Sequence, residues 1–207
     1  SIGKPSREPG AQLSDDHEVC PVGKTMYVGS IEGLFAVNMT DNHIRRISLP
    51  TTHKYVISLL WNPQNQSLLV GMEGQMCLYR PQQDKAEVSN ILSGSVCKSL
   101  ALDKHDNLIV GTDAGLCIYN MTTHQQHSWV YNAYHQSICN NVIWNLMIDR
   151  DGNVWLATDN GVTIMENPTW YTYHHIYEFT HNDYGNNFTK MLMDRHSNLW
   201  LGGENGL

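Results

Sequence analysis

Charge is scarce in this sequence, and positive charge scarcer still. Charged residues make up 16% of the 207, with 13 Lys and Arg against 20 Asp and Glu, a formal net charge of −7. A chain without a basic excess lacks the phosphate-neutralising surface that supplies most nucleic-acid affinity, so no nucleic-acid partner is expected of this segment. Apolar runs are short; a membrane-spanning helix needs about 20 apolar residues in succession. No two cysteines form a C-x-x-C pair, which removes the common zinc and thioredoxin-like arrangements. The eleven histidines, His174 and His175 among them, show no H-x-x-x-H helix pattern and no matching acid cluster, so neither a metal nor a cofactor is expected. No phosphate-binding loop or helix-turn-helix pattern is present.

Turn formers and aromatics are plentiful: 16 Gly, 10 Tyr and 6 Trp, the profile of an ordered, strand-rich chain. The five cysteines (Cys20, Cys77, Cys97, Cys117 and Cys139) are odd in number, so at least one is unpaired within the chain. Cys77 and Cys117 sit in apolar strand patterns and read as small core residues.

Five segments repeat. They are Met26 to Gly33, Leu68 to Gly74, Leu108 to Gly115, Val154 to Gly161 and Leu199 to Gly206. Their closing glycines, Gly33, Gly74, Gly115, Gly161 and Gly206, are spaced by 41, 41, 46 and 45 residues. That is the period of a β-propeller blade, roughly 40–50 residues. Each unit reads as four strands. A first strand such as Leu146-Met147-Ile148 leads to a polar turn, Asp149 to Asn153, whose Asp and Asn side chains can bond their own backbone. A second strand, Val154-Trp155-Leu156, is apolar throughout, as expected where neighbouring sheets cover both faces. Asn160-Gly161 and Asn205-Gly206 look like type I′ hairpin pairs. A third strand such as Leu116 to Tyr119 and a weaker outer strand such as Ile44 to Ile47 complete the unit. Gly29, Gly71, Gly111 and Gly202 end the second strand, but Ala157 stands there in the fourth copy, so the position demands smallness rather than positive φ. The expected fold is all-β: a partial propeller of four to five four-stranded blades, with no helix longer than about three turns. Residues 1–23 form a polar arm, with a first strand expected near 17–22; the repeats fall near 24–48, 56–91, 96–131, 141–180 and 187–207.

The strings Met147 to Val162 and Met193 to Leu207 resemble the regulator-propeller repeat, which reads roughly D-x-x-G-N-L-W-L-G-T-x-x-G-L. The resemblance is closest in the last two units, fair in the third and loose in the first two, where Asn62 to Ser67 replaces the turn and Tyr27 and Leu69 replace the Trp. It implies the periplasmic sensor region of hybrid two-component regulators of gut Bacteroidetes. In such proteins a propeller of about seven blades detects a glycan fragment, and an inner-membrane protein carries the signal to a histidine kinase. At about 43 residues per blade, seven blades need about 300 residues, so the chain is expected to be a piece of a larger ectodomain. The implied partners are an oligosaccharide or other small ligand, the remaining blades and the rest of the ectodomain, with a second copy of the chain as a further candidate. Contact with the membrane is expected only through segments outside this sequence.

Residues that recur in every blade do the same structural task each time. Asp103, Asp149 and Asp194 therefore read as turn residues, Trp155 and Trp200 as packing between blades, and the hairpin acids Glu32, Glu73, Asp113, Asp159 and Glu204 as scaffold near one mouth of the propeller. Residues that break the repeat carry the functional signal. The longer third and fourth spacings place extra residues in connections from an outer strand to the next inner strand. One connection carries Tyr131, Tyr134 and His135, the other Asn182 and Tyr184. Aromatic faces with amide donors and acceptors suit sugar recognition, so these five are the candidate ligand-binding residues. No catalytic residue is assigned. An enzymatic propeller, lyase-like or glycan-active, would need a non-repeating His with an acid partner, for which His135 with Asp183 is the available pair. A protein-interaction propeller is the third alternative. The N-x-S/T triplets at Asn38, Asn65, Asn120 and Asn187 are chance under the bacterial reading.

Overall fold

A computed structural model describes residues 18–135, 137–166, 172–176 and 187–203, the segment 172–176 by its backbone. Five antiparallel sheets follow one another along the chain, four of them four-stranded and the last two-stranded. The first holds β1 (Glu18–Val22), β2 (Thr25–Ser30), β3 (Gly33–Asn38) and β4 (Ile44–Ile47). The second holds β5 (Val56–Asn62), β6 (Ser67–Met72), β7 (Gln75–Arg80) and β8 (Lys85–Ser93). The third holds β9 (Cys97–Leu102), β10 (Asn107–Thr112), β11 (Leu116–Asn120) and β12 (Gln126–Trp129). The fourth holds β13 (Ile143–Ile148), β14 (Val154–Thr158), β15 (Gly161–Glu166) and β16 (Thr172–Ile176), and the fifth β17 (Phe188–Met193) and β18 (Leu199–Gly203). Every strand pairs only with its neighbours in sequence, and the first strands β1, β5, β9, β13 and β17 contact one another in succession. Strands so arranged line a common axis, and the fold is a β-propeller. Helix among the described residues is limited to a 3-10 turn at Pro81–Gln83.

The core lies between sheets, not within them. Leu34 and Ile47 of the first sheet meet Val56, Leu68 and Val70 of the second. Leu69 and Met76 of the second meet Cys97, Leu108 and Val110 of the third. Because side chains alternate along a strand, Leu68 and Val70 face one neighbour while Leu69 faces the other. This is why β6 is buried at all six positions and why the second strands read as unbroken apolar runs. All five cysteines are free, and Cys77 and Cys117 are buried in these layers. Burial pushes the Cys77 thiol up to about 11 and that of Cys97 up to about 12.

The recurring small residue is explained by close approach. A Cβ on Gly111 would stand 2.6 Å from Ser99 Oγ and 2.7 Å from Ile143 Cγ2 of the next sheet. None of Gly29, Gly71, Gly111 and Gly202 has positive φ.

Two expectations about the hairpins are corrected. Asn160-Gly161 is not a type I′ pair, because Gly161 alone has positive φ, at 91°. Thr158 pairs with Gly161, so the two turn residues are Asp159 and Asn160. The turn is held by a hydroxyl: Thr158 Oγ1 donates to Gly161 O at 2.9 Å and accepts from Asn160 N at 3.1 Å. Thr112 does the same with Gly115 O and Ala114 N, and Ser30 with Gly33 O and Glu32 N. The second correction concerns Gly74. Gly71 pairs with Met76 as Gly111 pairs with Leu116, so Gln75, not Gly74, stands where Gly33, Gly115 and Gly161 stand. The second repeat is out of step by one residue, with Gly74 (φ 74°) inside the turn.

Candidate functional site

In four of the five sheets the innermost pair of strands carries a bulge at the same register. Val56 faces Met72 but Ser58 faces Gly71; Cys97 faces Thr112 but Ser99 faces Gly111. Ile143 faces Thr158 but Asn145 faces Ala157; Phe188 faces Gly203 but Lys190 faces Gly202. The extra residues are Ile57, Lys98, Trp144 and Thr189. A bulge bends its strand and re-aims a side chain, and bulges concentrate beside binding and active sites. Here the backbone device recurs while the side chain it delivers differs every time.

Lys98 and Trp144 meet across the third and fourth sheets, with Lys98 Nζ 3.5 Å from the centre of the Trp144 ring. The Trp144 indole N–H donates to the Asp159 carboxylate in the fourth sheet's hairpin. Burial pushes the Lys98 ammonium's pKa down, and the carboxylates of Asp113 and Asp159 pull against that shift. The cluster thus has one aromatic ring, fixed by its own hydrogen bond, one ammonium and two hairpin acids. These groups combine a flat apolar surface with donors and acceptors of both kinds, which suits a polyhydroxylated ligand.

The hairpins and the outer-to-inner connections occupy the same mouth. Val96 N, just before β9, donates to Asp113 Oδ1 at 2.8 Å, and Asp159 N donates to Val142 O at 3.3 Å. Residues 130–142 are the long connection between β12 and β13. Its base is anchored by buried Ile138 and Cys139, and Cys139 N donates to Thr163 Oγ1 at 2.9 Å. Its crest is tied by Asn132 N to Ser137 Oγ at 2.7 Å and by Tyr131 N to Asn141 Oδ1 at 2.6 Å. On that crest Tyr134 is 92% exposed and Tyr131 49%, with His135 exposed beside them. Asn182 and Tyr184, and Asp183 of the alternative catalytic pair, lie outside the described residues. Sequence reasoning missed Lys98 and Trp144. Their signal is positional: each is a unique residue at a place where the repeat puts the same bulge.

The recurrent turn acids Asp149 and Asp194 are structural. Asp149 Oδ1 accepts from Asp151 N and Asn153 N, and Oδ2 from Asn153 Nδ2 and Trp155 Nε1. Asp194 makes the same set with His196, Asn198 and Trp200. The repeated Trp therefore closes the turn; Trp155 also packs against the cluster shared with the fifth sheet, as expected, whereas Trp200 is 51% exposed. Among the described residues no three His, Cys, Asp or Glu side chains gather where they could hold a metal.

A β-propeller with a repeat-breaking mouth is the class that fold and geometry define. Residues 137–160, which span the end of the long connection, β13 and β14, match the family described as Two component regulator propeller, so the chain carries a repeat of that kind. The extracellular domain of a protein described as a hybrid two component system, from B. thetaiotaomicron, is similar over 97% of this chain and 27% of its own, with TM-score 0.77 and 22% identity. PorZ, a surface component of the type-IX secretion system of Porphyromonas gingivalis, is similar over 94% of this chain and 32% of its own, with TM-score 0.66 and 16% identity. Virginiamycin B lyase from Staphylococcus aureus is similar over 89% and 62%, with TM-score 0.70 and 9% identity. At these identities the likeness establishes the fold. The chain spans about a quarter of the length of the hybrid-system domain. No curated protein sequence matches it.

Proposed function

We propose that this chain is part of a ligand-sensing propeller, a binding module and not a catalyst, on the extracytoplasmic side of a hybrid two-component system. The observation that carries this reading is the set of four bulges, which place four different side chains at equivalent points around the axis. A scaffold that holds its backbone constant while varying the presented residue is organised for recognition. The regulator-propeller repeat and the likeness to an extracellular hybrid-system domain support the cellular setting. The ligand is a glycan fragment, held at the mouth by Lys98 and Trp144 together with Tyr131, Tyr134, His135, Asn182 and Tyr184. Its binding is relayed through the rest of the ectodomain to a histidine kinase beyond the membrane.

The test is calorimetry of an oligosaccharide panel against the full ectodomain, with product analysis of each mixture. The expected result is saturable binding of at least one member with no turnover. Replacing Tyr134 or Tyr184 with Ala should weaken that binding with little change in melting temperature. Turnover would favour an enzyme, and unchanged affinity in both variants would move the site elsewhere.

A further inference from the structure

We propose that the free face of the fifth sheet, centred on Leu192 and Trp200, docks a further sheet of the same repeat, carried by the same polypeptide outside the five sheets described. This inference rests on how the sheets pack and not on the sensor reading. Tyr27, Leu69, Ile109, Trp155 and Trp200 occupy one position, two residues before the recurring small residue of each second strand. Four of them pack into the layer shared with the sheet that follows. Tyr27 joins Val56 and Leu59 of the second sheet, and Leu69 joins Cys97 and Val110 of the third. Ile109 joins Leu146 and Leu156 of the fourth, and Trp155 joins Phe188 and Met191 of the fifth.

The fifth member is the exception. Trp200 is 51% exposed and Leu192, which faces it across the strand pair, 65%. Tyr27, Leu69 and Ile109 are buried. Side chains alternate along a strand, so the next residue of each second strand faces the other way. There Val70, Val110, Leu156 and Leu201 fill the layer shared with the preceding sheet. The fifth sheet therefore has its preceding face covered and its following face open. The first sheet is open in the opposite sense: Val28 holds that position on β2, and Val19, which faces it, is 52% exposed. A single exposed apolar residue is ordinary. A facing Leu–Trp pair, at a position that is packed in every other described sheet, marks a surface that binds.

The repeat states what that surface binds. In each inner layer the following sheet contributes an aliphatic residue from its second strand, Val70, Val110, Leu156 or Leu201, so the docked sheet presents a Val or Leu at that position. The indole and its leucine neighbour offer a flat apolar area, and the face of another sheet is what covers the same area in each inner layer. The first sheet does not fill the place. Glu18 comes within 4.0 Å of Lys190 through two long side chains, yet Val19 next to it stays exposed. The source is the same polypeptide, because a repeat unit buries its faces against its neighbours along the chain. In keeping with this, the similar hybrid-system ectodomain is long enough that this chain covers 27% of it.

The experiment is hydroxyl-radical footprinting of the full ectodomain, read by mass spectrometry against a free peptide of residues 194–203. Trp200 should be labelled roughly tenfold more slowly in the ectodomain than in the peptide, as a buried indole is. Slowing of only about twofold would mean that the face stays half open, and would overturn the proposal. The partner is identified by photochemistry. With Leu192→p-benzoylphenylalanine, light should join the fifth sheet to a residue of the same chain outside the five sheets. A cross-link to β1 or β2 would show that the circle closes on five sheets, and that too would overturn it. So would a cross-link between copies that disappears on about a hundredfold dilution, the mark of a second molecule on the face. Footprinting uses the unaltered protein, so the first test stands even if the Leu192 variant folds poorly. Each outcome leaves the glycan titration of the mouth untouched.

Discussion

Gly111 presses its bare Cα against Ser99 and Ile143, and its replacement measures how tightly the sheets meet. Gly111→Ala should cost about 1–3 kcal/mol, because the added methyl overpacks a closed layer. Gly202→Ala should cost little, since its nearest neighbour would be 3.8 Å away. Urea unfolding of the two variants is the comparison, and equal costs would remove close approach as the reason for the small residue. Asp194 offers a pH test. Hydrogen bonds from Asn198, chiefly, and from His196 and Trp200 lower its carboxyl from an ordinary 3.8 to about 2. A carboxylate depressed in the folded state stabilises fully above its unfolded value. Its contribution is therefore present above about pH 4 and drains away as pH falls toward 2. Melting temperature measured from pH 5 to 2 should fall less steeply for Asp194→Asn than for the parent, relative to each protein's value at pH 5. Parallel curves would show that Asp194 is not the titrating group.

At the level of strands and turns, the period of the glycines and the apolar second strands were legible in sequence because packing between sheets requires them in every blade. The hairpins were misread because Asn160-Gly161 is a strong local turn signal, whereas the Ser30, Thr112 and Thr158 hydroxyls are common residues whose recurrence carries the information. Thr112→Val keeps the shape and removes a buried hydroxyl that bonds Gly115 O and Ala114 N. It should cost about 1–2 kcal/mol in chemical unfolding, and a neutral result would mean the glycine alone sets the turn. The bulges were illegible for a different reason. Ile57, Lys98, Trp144 and Thr189 share no chemistry, and the slip that aligns them exists only in the pairing of two strands. The candidate site was thus half visible: loop length and aromatics exposed Tyr131 and Tyr134, while Lys98 and Trp144 emerged only with the register.

Across the whole molecule, stability is divided among layers, each shared by two adjacent sheets. Sheets one and two share a cluster around Leu34 and Leu68, sheets three and four another around Leu116 and Leu156, and sheets four and five a smaller one around Ala157 and Phe188. The ends of the described arc come near each other, with Lys190 of β17 4.0 Å from Glu18 of β1. Lys190 is exposed, Glu18 is half-buried and the two stand at the outer limit of an ion pair, so this pair adds about 0–1 kcal/mol at most and does not lock the arc. Cohesion must then come from neighbour-to-neighbour packing, as in other repeat architectures. Leu34 is wholly buried in the first layer. Leu34→Ala should remove about 2–5 kcal/mol there. If the layers open in part independently, amide exchange should quicken in β2, β3 and β6, while β14, two layers away, keeps most of its protection. Leu156→Ala should produce the converse pattern. A uniform loss of protection in both variants would mean that the sheets unfold as one unit, and that contacts around the full circle, not the layers alone, set the stability of the propeller.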